Sequence, residues 1–184
     1  NVMMVRLCFF IFFINSVQAE YNIAPYSTIK SSPYIGSSLK FLSDQKIGGK
    51  ENTFALSAPL PIKLGQAVKI NYQFIFTVPV AVSKIRIYQF KVSGRRWARV
   101  FDISADLDGD QTCETILRKE VNGNSSQWME YIIPDQPKAY QICFVTKELS
   151  NEKGPNYGGP VIGEFEIYSL TDIESNSTFN GVNR

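Results

Sequence analysis

The side chains best placed for chemistry lie in one short run. Asp106, Asp108 and Asp110 put three carboxylates at alternate positions around Gly109. Such spacing lets oxygens converge on a hard cation such as Ca²⁺, with Asp102 as a further ligand. The run is not an EF-hand, because the glycine required at loop position six falls at Gln111, and position twelve is Leu117 rather than a bidentate Glu. Asp and Gly also build tight turns unaided, through side-chain-to-backbone hydrogen bonds and tolerance of positive φ. The run is therefore read first as a turn between strands and second as a structural calcium site. A basic cluster, Lys91, Arg95, Arg96 and Arg99 around Trp97, could hold a sulfated glycan or an acidic partner by charge and stacking. Its plainer reading is a solvated hairpin tip, neutralised by Asp102, Asp106, Asp108, Asp110 and Glu114 that follow.

Glu164 and Glu166 share one face of a strand, as the acids of sandwich glycoside hydrolases do. The further carboxylate of an E-x-D-x-x-E pattern is replaced by Ser169, so the pair is expected on the solvent face of an edge strand, guarding it against mispairing. The chain contains no histidine. Ser-His-Asp and Cys-His nucleophile pairs, His-ligated zinc and imidazole acid-base work are thereby excluded.

Lys and Arg number 19 against 17 Asp and Glu, a net charge of +2, which signals neither a nucleic-acid surface nor an acidic tail. Arg6, the apolar run from Leu7 to Ile14, and Val17-Gln18-Ala19 form the three parts of a secretory signal peptide, with cleavage expected after Ala19. No later stretch is apolar enough to span a bilayer, so the mature chain is expected to be secreted, without membrane insertion. Cys8 leaves with the leader, and Cys113 and Cys143 remain to form one disulfide in an oxidising compartment. That compartment gives meaning to two N-glycosylation sequons, Asn124-Ser125-Ser126 and Asn176-Ser177-Thr178.

Strands must position these residues. Val68 to Val78 alternates strictly, with Val68, Ile70, Tyr72, Phe74, Phe76 and Val78 on one face, and Pro79 is expected to end it. Similar runs cover Phe54 to Ala58, Lys84 to Val92, Trp97 to Ile103, Thr112 to Val121, Trp128 to Ile133, Ala139 to Lys147 and Val161 to Leu170. Eight short strands separated by Gly, Pro, Asn and Asp turns predict an all-β, antiparallel jelly-roll β-sandwich. The expected organisation is a leader at 1–19, a polar lead-in with one or two strands at 20–50, the sandwich at 51–170 and a tail at 171–184.

The order of these motifs resembles the MAM domain, an extracellular adhesion and recognition module. The likeness rests on Ala55-Leu56-Ser57-Ala58-Pro59 before the Val68 to Phe76 strand, on Val82 to Tyr88, on Gln127-Trp128, on Tyr140-Gln141-Ile142-Cys143-Phe144, and on Gly159 through Ile167. The family usually carries four cysteines and a closing Asp-Asp, where this chain has none in its lead-in and has Phe165-Glu166. The resemblance implies a secreted, non-catalytic module that binds an extracellular protein or another copy of itself, with no cofactor beyond a structural Ca²⁺. A lectin-like carbohydrate-binding domain is the alternative and a glycoside hydrolase the third reading. A lectin would show aromatic residues beside carboxylates, and an adhesion module a flat apolar patch. Amino-terminal sequencing of protein secreted from cells should read Glu20-Tyr21-Asn22, and an uncleaved chain recovered from membranes would refute the leader.

Overall fold

The structure is a computed structural model that describes residues 19–32, 39–45, 55–56, 60–61, 70–90, 97–150, 157–158 and 161–171. Its strands are β1 (Tyr21–Asn22), β2 (Thr28–Ser32), β3 (Ala55–Leu56), β4 (Leu60–Pro61), β5 (Asn71–Ala81), β6 (Lys84–Gln89), β7 (Ala98–Asp106), β8 (Thr115–Asn122), β9 (Trp128–Ile132), β10 (Lys138–Leu149), β11 (Tyr157–Gly158) and β12 (Val161–Ser169). Short 3-10 turns at Ala24–Tyr26 and Leu39–Leu42 are the helical elements among the described residues.

Two antiparallel sheets form the jelly-roll sandwich. The first runs β1-β12-β6-β9, with β3 also paired to β12, and the second runs β2-β5-β10-β7-β8. Period-two alternation gives each sheet one apolar face: Tyr72, Phe74 and Phe76 on β5, Ile85 and Ile87 on β6, Phe101, Ile103 and Ala105 on β7, Ile142 and Phe144 on β10, and Phe165 and Ile167 on β12 are all buried. The faces meet through aromatic rings. Phe74 stacks on Phe165 at 4.4 Å between centroids, Phe144 meets Phe165 edge-on at 6.0 Å, and Phe101 lies 4.6 Å from Phe144. Each such buried ring contributes about 2–3 kcal/mol of transfer free energy. The lead-in is woven into the body, since β1 pairs with β12 and β2 with β5.

Two expected strand limits are corrected. β5 runs through Pro79 to Ala81, because its ladder with β10 steps from Gln141↔Ile75 to Ala139↔Val80. Tyr140 alone thus faces Phe76 to Pro79, a bulge in which no ladder hydrogen bond is asked of the proline. Val78 is accordingly 49% exposed instead of facing the core. β8 begins at Thr115 rather than Thr112, because Cys113 is drawn aside: it is bonded to Cys143, with Cα atoms 6.2 Å apart. Cys143 lies mid-β10, between core residues Ile142 and Phe144, so the bridge pins the β7–β8 connection over the outer face of the second sheet. Gln141 Nε2 donates to both sulfurs at 3.3 and 3.1 Å, and Gln141, Ser104 and Asp106 are buried on that face.

At the opposite end a side chain ties one sheet to the other. Gln89 closes β6 and is fully buried; its Oε1 accepts from Ala98 N at 2.8 Å and its Nε2 donates to Ala98 O at 3.1 Å. Gly123 passes so close that a Cβ there would run into the Ala98 carbonyl. Bridging Cys113 and Cys143 closes a loop of 30 residues, worth about 3–4 kcal/mol on the chain-entropy account. The double Cys→Ser variant should lose that amount in denaturant unfolding with an unchanged strand spectrum, and an unchanged midpoint would show that the bridge adds nothing.

Candidate functional site

The outer face of the first sheet is partly exposed along β6 and β9. Along β6, Lys84, Arg86 and Tyr88 alternate with buried Ile85, Ile87 and Gln89, so their side chains leave the core together. Register then sets their neighbours: Arg86 lies between Glu166 of β12 and Glu130 of β9, Tyr88 between Glu164 and Trp128, and Lys84 beside Tyr168. Arg86 holds Glu166 at 2.9 Å and Glu130 at 3.5 Å, donates to the Tyr168 hydroxyl at 3.3 Å, and sets its guanidinium carbon 4.2 Å from the Trp128 ring centroid. Tyr168 in turn donates to Glu166 at 2.9 Å, and Lys84 sits over the Tyr168 ring while pairing with Glu20.

The aromatic rings continue along the face. Trp128 meets Tyr88 at 5.6 Å and Tyr88 meets Phe90 at 5.1 Å, both edge-on. Phe90 lies against Gly163, where any Cβ would collide with its ring. Burial alone would lower the Arg86 pKa, but the Tyr168 hydroxyl and the Glu166 and Glu130 carboxylates outweigh it and raise it, so the cation is fixed. Burial raises the Tyr168 pKa, Arg86 opposes this, and donation to Glu166 adds to it, which keeps the phenol a donor at neutral pH. The result is a patch of aromatic rings and fixed charges, with Arg86 over the Trp128 ring and Lys84 over the Tyr168 ring. Ring faces carry negative quadrupole potential that attracts the C–H groups of a sugar, while carboxylates and guanidinium can take its hydroxyls in charge-assisted hydrogen bonds. Glu130, with half its side chain exposed (51%), is the carboxylate nearest solvent; Glu166 is at 14%.

Sequence reasoning did not single out Arg86, Tyr88 or Glu130, and took Trp128 only as a motif residue. The available signal was the polar-aromatic alternation of Lys84-Arg86-Tyr88, Trp128-Glu130 and Glu166-Tyr168, which becomes a cluster only once register is known. The expected edge-strand glutamates are corrected. β12 is an interior strand, flanked by β1 and β3 on one side and β6 on the other. Glu164 is fully buried beneath the segment after the Leu39–Leu42 turn, where Gln45 N donates to its Oε1 at 3.2 Å.

The acidic run forms a self-capped turn. Asp106, buried at the end of β7, accepts from Gly109 N at 2.7 Å and from Gln111 N at 2.9 Å; Asp108 accepts from Asp110 N at 3.2 Å, and Asp110 from Thr112 N at 2.8 Å. Gly109 and Gln111 both take positive φ, as the turn reading requires. Oxygens of Asp106, Asp108 and Asp110 do lie within 4.8 Å of one another, but Asp102 is not among them. Four residues away along β7, about 13 Å at 3.3 Å per residue, Asp102 instead receives Glu120 N at 2.7 Å and Lys147 Nζ at 2.9 Å. That carboxylate braces a bulge in β8, where the β7 register jumps from Phe101↔Val121 to Ile103↔Arg118. Of the basic cluster, Lys91, Arg95 and Arg96 lie outside the described residues. Trp97 is half-buried and exchanges hydrogen bonds with Ser150, and Arg99 pairs with Glu148. Asn124 is exposed between β8 and β9; Asn176 lies outside the described residues, as does the apolar segment 1–18.

The chain matches no protein-family model and no curated protein sequence. Solved structures do share its architecture. A chitosan-binding module of a chitosanase/glucanase from Paenibacillus sp. IK-5 superimposes with a TM-score of 0.60 at 16% identity, over 81% of this chain and 99% of that one. The family 32 carbohydrate-binding module of NanJ from C. perfringens, solved with galactose, gives 0.56 at 17% identity over 82% and 100%. The lectin domain of lectinolysin, solved with Lewis B antigen, gives 0.56 at 14% over 81% and 96%. At these identities the common property is the jelly-roll sandwich.

Asp102 supplies a pH test. Burial alone would raise its pKa; the Glu120 N–H and the Lys147 and Lys119 charges outweigh it, and the folded value lies below the usual carboxylate range. A depressed pKa contributes stability that is full above the unfolded value of about 4 and is lost as pH falls through the lower folded value. Asp102→Ala should cost about 2 kcal/mol at pH 7, by orphaning the Glu120 N–H, and the penalty should shrink steadily below pH 4 in denaturant titrations. A penalty constant across that range would refute the assignment.

Proposed function

We propose that this protein is a secreted, non-catalytic carbohydrate-binding module and that Trp128, Tyr88, Arg86 and Glu130 on the outer face of the first sheet take the glycan. The observation that carries this reading is the contact of Trp128 with Arg86, which in turn pairs with Glu166 and the half-exposed Glu130 on the outer face of the first sheet. A ring face flanked by planar charged groups is the chemistry that distinguishes a sugar from water, since it meets apolar C–H and polar O–H together. Two further observations support it. Similar solved structures include modules and a lectin domain complexed with chitotriose, galactose and Lewis B antigen. The Cys113–Cys143 bridge suits an oxidising, extracellular compartment, and no helix among the described residues is long and apolar enough to cross a membrane.

The adhesion role implied by the MAM resemblance is less well supported. Among the described residues the exposed large apolar side chains are Tyr21, Tyr26, Val78, Ile116 and Ile132, drawn from separate strands and turns. Titration calorimetry with chito-oligosaccharides, galactosides and fucosylated Lewis-type glycans should find saturable binding to one of these classes. Trp128→Ala should weaken it at least tenfold, about 1.4 kcal/mol, and Glu130→Gln by a smaller factor, both with the strand circular dichroism spectrum retained. Concentration-dependent dimerisation in sedimentation, with no glycan bound, would replace this reading by the adhesive one.

A further inference from the structure

We infer that Asn124 is an N-glycosylation site, with a hydrogen-bonded loop at the head of β9 presenting its side chain to solvent. The inference stands on residues other than those of the proposed glycan-binding face.

The sequon Asn124-Ser125-Ser126 fills the turn between β8 and β9, and Asn124 is exposed there. Its main chain is held on both sides. Gly123 N donates to Arg99 O at 2.7 Å, Asn124 N to Met129 Sδ at 3.0 Å, and Ser126 N to Gln89 O at 2.7 Å. Asn124 O accepts from Gln89 Nε2 at 3.3 Å. The same buried glutamine that ties the two sheets together therefore anchors the sequon loop. The Asn124 side-chain oxygen turns back to accept Ser125 N at 2.7 Å, which commits the oxygen to the loop and not the nitrogen. A backbone fixed from beneath and a side chain turned to solvent allow a branched sugar to be carried without disturbing the core.

Two marks of the secretory route are independent of the sequon. One is the leader-like segment ending at Ala19, and the other is the bond between Cys113 and Cys143. In that route the donor is an oligosaccharide linked to a lipid pyrophosphate. Asn124 Nδ2 attacks the anomeric carbon, a C–N bond forms, and the C–O bond to pyrophosphate breaks. The lipid pyrophosphate departs with the electron pair, and the amide proton passes to a carboxylate of the transferase. No change of oxidation state is involved, and the hydroxyl of Ser126 supplies the acceptor signal.

The test expresses the full chain, leader included, in a eukaryotic cell line and maps peptides of the secreted protein before and after treatment with an N-glycan-releasing amidase. The Asn176→Gln background isolates the first site. The peptide containing Asn124 should carry a glycan that the amidase removes. Ser126→Ala should abolish it while leaving the asparagine and the fold in place, as circular dichroism would verify. A secreted chain with Asn124 bare, a modification that survives Ser126→Ala, or a chain retained unmodified in the cytosol would each overturn the inference.

Discussion

The packing of Phe165 against Phe74 joins two sheets that have no ladder in common, and the remaining architecture is arranged around that contact. Because the ring of Phe165 must point inward, Glu164, Glu166 and Tyr168 are forced outward on the same strand. Because β12 pairs with β6 in fixed register, the outward residues of β12 meet Arg86 and Lys84, and those of β9 meet Arg86 and Tyr88. The charged and aromatic face is thus a consequence of the core. A slip of one residue would turn Arg86 into the sandwich and Ile87 into water.

The two sheets treat their outer faces differently. The second carries its own cover, since Cys113 is bound to Cys143 and the acidic turn closes on Asp106. Polar side chains beneath it, such as Gln141 and Ser104, are buried without facing the core. The first sheet is left open where Trp128 and Glu130 stand. The acidic turn holds itself shut by its own carboxylate-to-amide bonds.

How far the sequence revealed this depends on the range of the interaction. Alternation in Tyr72-Gln73-Phe74-Ile75-Phe76 is a local property, so the strand and its buried face could be read directly. The acidic turn was legible for the same reason, because Asp106 bonds to residues three and five positions ahead. Pro79 misled because a bulge rescues a proline only when the partner strand supplies the irregularity, and that partner is β10. Glu164 misled because its cover arrives from Gln45, 119 residues away. The cluster around Arg86 required three strands in register, which no local pattern encodes. Asn124 lay between the two cases: its sequon is local, but the anchoring by Gln89 is not.

The pairing of β1 with β12 places Tyr21 directly opposite Ser169, so Glu20 and Leu170 lie at the same corner of the body. Mechanically this is an unzipping geometry. Tension applied between Glu20 and Thr171 would load the hydrogen bonds of that short pair one after another, starting at Tyr21 and Ser169, before it reached Ile23 N bonded to Ile167 O at 2.7 Å. The long β5, β10 and β7 ladders would remain out of the line of force. Under load the module would therefore yield at its corner first, with the Trp128 face still standing on an intact sheet.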